Sequence, residues 1–137
     1  MIYFATFEND EGTVLVRFPD VPGAITFGVN EADAKARARD ALTTALEMYV
    51  ESRKPLPPMK FTAGHPITLR GLHVAKILLH DSMREKRVTK AMLTKRLGVH
   101  PPQVDRLLDF RHASRLDAVE DALEAVGMKL LVNIEAA

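Results

Sequence analysis

Apolar and polar residues alternate along residues 13–18, as expected for a strand with one buried face. Residues 1–8 form a second strand-like run, and the polar turn between the two runs contains Gly12, which predicts a hairpin. The prolines in residues 19–23 cannot continue a ladder, because proline has no N–H group to donate. A short third strand is predicted at residues 24–28.

An alanine-rich helix is predicted after the third strand. Asn30 is typical of an N-cap, and Glu31 and Asp33 place negative charge at the positive end of the helix dipole. Small and apolar residues recur every three or four positions on one face, namely Ala34, Ala38, Ala41, Leu42, Ala45, Leu46 and Tyr49. The first part of the chain is therefore predicted to be a three-stranded meander covered by one helix.

Prolines in residues 54–66 end that helix and predict a semi-rigid linker, and residues 67–70 leave room for a fourth strand. From residue 72 onward the apolar spacing is helical. Four helices are predicted: residues 72–87; residues 90–97, capped by Thr89 and ended by Gly98; residues 101–110; and a helix to residue 126, with a capping box from Ser114 to Asp117 and a stop at Gly127.

The last predicted element is a strongly apolar strand at residues 129–135. Together the elements predict an α+β fold. A small antiparallel sheet with one covering helix occupies residues 1–60, a linker spans residues 61–71, and an all-α domain with a C-terminal strand occupies residues 72–137.

The composition excludes several classes of protein. The 137 residues contain no cysteine, which excludes a disulfide framework and thiolate chemistry. The longest run without charge, residues 21–30, is too short to cross a bilayer, and the N-terminus lacks the features of a secretory signal. We therefore expect no membrane partner and a cytoplasmic location.

Charge differs between the two parts of the chain. Residues 1–64 contain seven Lys and Arg against nine Asp and Glu, a net charge of −2, whereas residues 65–137 contain twelve against nine, a net charge of +3. All five histidines lie in the second part. This asymmetry mildly favours an anionic partner such as nucleic acid for the second part and a cationic partner for the first.

The strongest motif in the sequence lies at residues 92–108, where two helices are predicted on either side of Gly98. Apolar side chains fall where a helix-turn-helix needs them, and Thr94 and Gly98 allow a close approach and a left-handed turn. The apolar positions are Leu93, Leu97, Val99, Val104 and Leu107. A plain helical hairpin is the alternative interpretation.

If these positions are buried, the second helix presents polar side chains to a DNA major groove. The predicted groove-facing residues are His100, Pro102, Gln103, Arg106 and Asp109, and the predicted phosphate contacts are Lys90, Lys95 and Arg96. Asp105 would repel phosphate, unless it accepts a hydrogen bond from cytosine or pairs with Arg106 or Arg111.

No catalytic or metal site is predicted. The carboxylates of the first part lie in turns or along one helix, unlike the clustered pair that holds two Mg²⁺ ions in a nuclease of the RNase H type. His73 and His80 are seven residues apart, without the i, i+4 spacing of a helical zinc site. No cofactor is expected.

Two resemblances cover nearly the whole chain. Residues 93–108 resemble the helix-turn-helix of the Cro/lambda-repressor class, although alanine is commoner there than Thr94, and residues 114–127 resemble that class's next helix. The first part resembles the HicB antitoxin family in residues 16–24 (VRFPDVPGA), residues 26–28 (TFG), the alanine-rich helix and residues 56–58 (LPP).

The resemblance implies the antitoxin of a type II toxin–antitoxin pair. The N-terminal domain of such a protein is similar to a degenerate RNase H fold and occludes HicA, a small basic mRNA interferase. Its C-terminal domain represses the shared operon by binding operator DNA, and members of the family assemble as dimers or tetramers.

Two further expectations concern partners. Asp10, Glu11 and Asp20 are candidate toxin contacts, with ordinary turn chemistry as the alternative. Leu130, Val132 and Ile134 are expected to pair the C-terminal strand with its symmetry mate, unless that strand returns to the sheet or to its own helices.

Two other classes of function stay open at this point. One is a stand-alone helix-turn-helix regulator whose N-terminal domain senses a ligand, and the other is a residual nuclease.

Overall fold

The computed structural model describes all residues, 1–137, and divides them into two compact units. We call residues 1–71 the sheet unit and residues 72–137 the helical unit. With one four-stranded antiparallel sheet and five helices, the chain has the predicted α+β class of fold. None of the helices is both long enough and apolar enough to span a membrane.

The sheet unit contains all four strands. They are β1 (Ile2–Asp10), β2 (Thr13–Arg17), β3 (Ile25–Gly28) and β4 (His65–Thr68), in the order β3-β2-β1-β4 with every neighbouring pair antiparallel. The register pairs Phe7 with Val16 and Tyr3 with Ile67. The hairpin turn consists of Glu11 and Gly12, both with positive φ, so β1 extends two residues beyond its predicted end.

Helix α1 (Glu31–Glu51) contacts all four strands. Asn30 caps it as predicted, because its side-chain oxygen accepts the N–H of Asp33 at 2.9 Å. The predicted apolar face is largely confirmed, since Ala34, Ala38, Leu42, Ala45 and Leu46 are buried. The predicted Ala41 and Tyr49 are only half-buried, and Val50, which was not predicted, is buried. A Cβ on Gly28 would lie 2.4 Å from the backbone nitrogen of Ala34, so only glycine allows β3 to approach the start of α1 this closely.

The expected linker is corrected by the structure. His65–Thr68 is not part of a free connection but an edge strand on β1, slightly earlier than the fourth strand predicted at residues 67–70. The preceding segment is anchored as well: the buried Tyr3 hydroxyl donates to the carbonyl oxygen of Pro57 at 2.6 Å. The proline-rich stretch therefore belongs to the sheet unit.

The helical unit follows. It comprises α2 (Gly71–Lys86, which begins at the junction), α3 (Lys90–Leu97), α4 (Pro101–Leu108) and α5 (Leu116–Ala125). All four helices contribute to one apolar cluster, whose most deeply buried members are Leu79, Leu93, Val104, Val119 and Ala122. Leu97 and Val99 pack partly buried against it.

The start of α5 differs from the prediction. Arg115, not Ser114, occupies the N-cap position, and no side chain caps the helix there. The hydroxyl of Ser114 instead donates to the carbonyl oxygen of Arg106 at 3.2 Å, which ties the loop back to α4. The predicted capping box is therefore wrong, and α4 also ends two residues before its predicted end at Phe110.

The predicted C-terminal strand is also wrong for a single copy of the chain. Residues 129–137 have no regular secondary structure. Leu130 packs partly buried against the helical cluster, whereas Leu131, Val132 and Ile134 are 80%, 74% and 88% exposed. A strand needs a neighbouring backbone as hydrogen-bond partner, and all four strands that do pair lie in the sheet unit.

Candidate nucleic-acid interface

Helices α3 and α4 are two short consecutive helices. Each has eight residues, and three residues connect them. Thr89 caps α3 by accepting the N–H of Met92, and Gly98 ends it in the left-handed conformation with φ of 65°. Leu93 and Val104 are fully buried between these helices and α5, so the relative position of α3 and α4 is set by packing.

The exposed face of α4 carries four of the predicted groove-facing residues. His100, Pro102, Gln103 and Arg106 are all exposed, whereas Val104, Leu107 and Leu108 on the same helix are buried. Pro101 and Pro102 begin the helix, where their missing N–H groups leave no helical hydrogen bond unmade. The double proline is therefore compatible with a helix at this position.

The side chain of Gln103 also caps the start of α4. Its side-chain oxygen accepts the backbone N–H of His100 at 2.9 Å and so satisfies one donor at the helix start. A glutamine that contacts adenine uses both its oxygen and its nitrogen. Gln103 must therefore break its capping hydrogen bond to contact adenine in that way. Arg106, by contrast, is exposed on α4 and does not use its side chain to cap the helix.

The predicted phosphate contacts differ in their surroundings. Lys95 is exposed in the last turn of α3. Lys90 pairs with Asp105 at 3.1 Å between Nζ and Oδ1, so the partner of Asp105 is Lys90 and neither of the two arginines considered from the sequence. Arg96 donates to the carbonyl oxygen of Ala125 at 2.9 Å, at the end of α5.

Sequence reasoning missed the loop between α4 and α5. Its residues Arg111, His112 and Arg115 are exposed. His112 and Arg115 line a cavity of about 320 Å³ together with Gln103, Arg106 and Ser114. The sequence shows this concentration of basic residues just after α4, and that signal could have found the loop.

Hydrogen bonds hold this loop in one conformation. The hydroxyl of Ser114 donates its only proton to the carbonyl oxygen of Arg106. Its oxygen therefore accepts the hydrogen bond from Nδ1 of His112, at 2.9 Å. The carboxylate of Asp109 accepts the N–H of Arg111 at 2.9 Å. The loop is thus an ordered extension of the α4 surface.

Lys76 of α2 lies underneath the end of α4. It is completely buried, and its ammonium donates to three carbonyl oxygens: Arg106 at 3.1 Å, Asp109 at 2.6 Å and His112 at 2.7 Å. Burial lowers the pKa of this ammonium, while the charge of the nearby Asp109 carboxylate opposes the shift.

The sheet unit contains the candidate toxin contacts. Asp10 and Glu11 are exposed at the β1–β2 turn. Asp20 is half-buried, and one of its carboxylate oxygens accepts the N–H groups of Lys60 and Phe61, both at 2.8 Å. Asp20 therefore holds the proline-rich segment in place, and Asp10 and Glu11 are the more accessible pair.

One edge of the sheet also exposes apolar surface. Ile25 and Phe27 of β3 are about half exposed. Ile25 and Met48 line a cavity of about 570 Å³ between β3 and α1. No group of three or more histidine and carboxylate side chains is placed to hold a metal ion.

The chain thus consists of a sheet unit with an open strand edge and a helical unit with an exposed polar helix. A protein-family profile described as HicB_like antitoxin of bacterial toxin-antitoxin system matches residues 2–70. The chain belongs to this HicB-like antitoxin family.

Similar proteins extend the match beyond the first unit. Antitoxin HicB 2 of Photorhabdus laumondii is 35% identical over 95% of this chain and 94% of its own length. Antitoxin HicB of Pseudomonas fluorescens is 36% identical over 98% of this chain and 94% of its own length, and antitoxin HicB of Escherichia coli K12 is 34% identical over 88% of each. Family membership supports an antitoxin function, implies a cognate toxin as partner and indicates a regulatory, non-enzymatic role.

Proposed function

We propose that this chain neutralises a HicA-type mRNA interferase through its sheet unit and represses its own operon through its helical unit. The observation that carries the proposal is the exposed face of α4, with Arg106 on a helix whose other face is buried, in a chain whose antitoxin relatives match it almost from end to end. Family membership favours this function over a stand-alone, ligand-sensing regulator.

In this proposal, α3 and α4 act as a helix-turn-helix and α4 enters the major groove. Arg106 reads a base, His100, Pro102 and Gln103 lie along the same groove, and Lys95 contacts phosphate. Lys90 and Arg96 contribute phosphate contacts only if they leave the partners that they have in the free chain.

Two variants test this assignment. The probes are the duplex that the wild-type protein selects most tightly from a random-sequence pool and a shuffled duplex of the same composition. Arg106→Ala should weaken binding to the selected duplex by about 1–3 kcal/mol and relax base preference at one position. Lys95→Ala should weaken both duplexes alike and lower the salt dependence. Unchanged affinity and preference in Arg106→Ala would exclude this placement of α4.

We propose that the toxin binds the sheet unit, whose residues 1–64 have a net charge of −2 and which has an open strand edge. Growth rescue in cells that express the toxin tests the division of labour with the full chain. Arg106→Ala should still rescue growth but lose operon repression, whereas reversing the charges of Asp10 and Glu11 should impair rescue and leave DNA binding unchanged. The opposite pattern would refute the assignment.

A truncated fragment for the toxin experiment must contain all four strands of the sheet. A fragment that ends near Pro58 lacks β4, which pairs with β1 along residues 65–68. The fragment to test for toxin neutralisation therefore ends at residue 71, where the sheet unit ends. Rescue of growth by the full chain alone would count against a self-sufficient sheet unit.

We further propose that residues 129–135 pair with the same segment of a second copy. The support is that Val132 and Ile134 are apolar and exposed, in a segment whose backbone has no strand partner within the chain. Leu130 would join this contact from its partly buried position. Deleting residues 129–137 should lower the mass measured by light scattering and abolish tight operator binding, and an unchanged mass would locate the dimer contact elsewhere.

A further inference from the structure

The C-terminal end of α4 has no glycine cap, and the N–H of its C-cap residue, Asp109, donates to the carbonyl oxygen of Arg106 at 3.3 Å. The last carbonyl groups of a helix have no partner within the helix and must find one elsewhere. Here α2 supplies donors in addition to those of the following loop. Lys76 supplies donors to the carbonyl oxygens of Arg106, Asp109 and His112, and His80, one helical turn further along α2, contacts the carbonyl oxygen of Leu108 at 2.8 Å.

The chemistry of the two side chains fits these positions. An ammonium group has three N–H donors and no acceptor, and all three donors of Lys76 are used. A carbonyl oxygen only accepts, so Nε2 of His80 carries the proton that it donates to Leu108. The ring of His80 also stacks on Phe110 with centroids 4.9 Å apart. A positive charge at this end of α4 further complements the helix dipole.

We propose that Lys76 and His80 form a clamp, here named the α4 clamp, that positions the C-terminal end of α4 and the following loop for DNA reading. They are positioning residues. Lys76 is fully buried and cannot itself touch DNA, but the carbonyl groups that it holds belong to Arg106 and His112, whose side chains line the candidate interface. This inference rests on the DNA-binding function proposed above.

A buried lysine is a costly way to fill a core. An apolar side chain of the same length would pack without desolvating a charge. The ammonium instead fixes the positions of three carbonyl groups, because all three must point at the same nitrogen. The clamp thus determines where the backbone of residues 106–112 runs relative to the rest of α4.

The test separates positioning from both charge and stability. Full-length Lys76→Met retains the length of the side chain and loses the ammonium, and it is compared with wild type on the selected duplex and on the shuffled duplex. We expect affinity for the selected duplex to fall at least about tenfold, the loss of roughly one base contact. Affinity for the shuffled duplex and the slope of affinity against salt should stay as in wild type, because no phosphate contact is removed.

Leu79→Val is the matched control, because Leu79 is fully buried on α2 in the same apolar cluster and its truncation removes no hydrogen bond. It should lower thermal stability without changing the ratio of the two affinities. If it lowers that ratio as Lys76→Met does, the effect is one of stability and the inference is wrong.

His80 provides an independent variant if Lys76→Met does not fold. His80→Leu should lower affinity for the selected duplex alone, and His80→Gln, which keeps a side-chain N–H donor, should restore part of it. Wild-type affinity in a folded Lys76→Met or in His80→Leu would overturn the clamp, as would an equal loss on both duplexes. If wild type itself shows no preference for any selected duplex, the DNA-binding function fails first, which is a distinguishable result.

Discussion

Replacing Asp105 by asparagine should strengthen the binding of this protein to non-specific DNA. Asp105 lies on the helix proposed to enter the groove, where its carboxylate repels phosphate, and it also occupies Lys90 through a 3.1 Å ion pair. The Asp105→Asn variant removes the repulsion and weakens the hold on Lys90. The lysine, on the neighbouring α3, then becomes available to a phosphate group.

The structure indicates how much stability the variant loses and how much its DNA binding changes. The side chains of Lys90 and Asp105 are 64% and 60% exposed, so their ion pair stabilises the fold by at most about 1 kcal/mol. One additional phosphate contact steepens the slope of log affinity against log salt by about 0.9. Over a fourfold range of salt, that slope corresponds to roughly a threefold additional loss of affinity as salt rises.

Fluorescence anisotropy with the shuffled duplex, repeated across a salt series, measures this slope. We expect tighter binding than wild type at low salt, a steeper slope and an almost unchanged thermal unfolding temperature. Glu85→Gln, an exposed carboxylate on α2 with the same change in charge, is the matched control and should shift the slope less. An Asp105→Asn slope equal to that of wild type, or weaker binding at low salt, would refute the proposed position of Lys90 and Asp105 at the DNA.

Three further predictions concern stability and are checked by thermal or urea unfolding. Leu93→Ala should cost about 2–5 kcal/mol because Leu93 is fully buried between helices, whereas Met92→Ala beside it, at an exposed site, should cost less than about 1 kcal/mol. Gly98→Ala should cost about 1–2 kcal/mol through its positive φ alone, because a Cβ there meets no atom within 4 Å; no loss would mean that the turn relaxes. Asp33→Asn should destabilise at neutral pH, since the N–H of Val29 and the Arg37 guanidinium hold the pKa of Asp33 below its ordinary value of 3.8. The difference in the free energy of unfolding between variant and wild type should be fully present above pH 3.8 and vanish as pH falls through the lowered pKa of Asp33. A difference that persists in acid would contradict this prediction.

The sequence determined those features that depend on residues close together along the chain. Asn30 as the cap of α1, Gly98 as the end of α3 and Pro101 at the start of α4 were all predictable, because a helix end is decided within about one turn of residues. The buried positions Leu93 and Val104 followed from spacing alone. The family was recognisable for the same reason, since its signature is a series of local segments in a set order.

Only the tertiary structure decided which distant groups meet. The pairing of β4 with β1 joins residues at least sixty positions apart, and nothing in the short apolar run near Ile67 indicates which strand it pairs with. The bonds from Asp20 to residues 60 and 61 and the pairing of Lys90 with Asp105 are equally non-local. Lys76 is the clearest case: a lysine in a helix looks like a solvent-exposed charge, and only the packing of α2 against the end of α4 brings three carbonyl oxygens to its ammonium. Hydrogen-bond needs at a helix end can be predicted from sequence, but the residue that satisfies them from another helix is fixed by the way the helices pack.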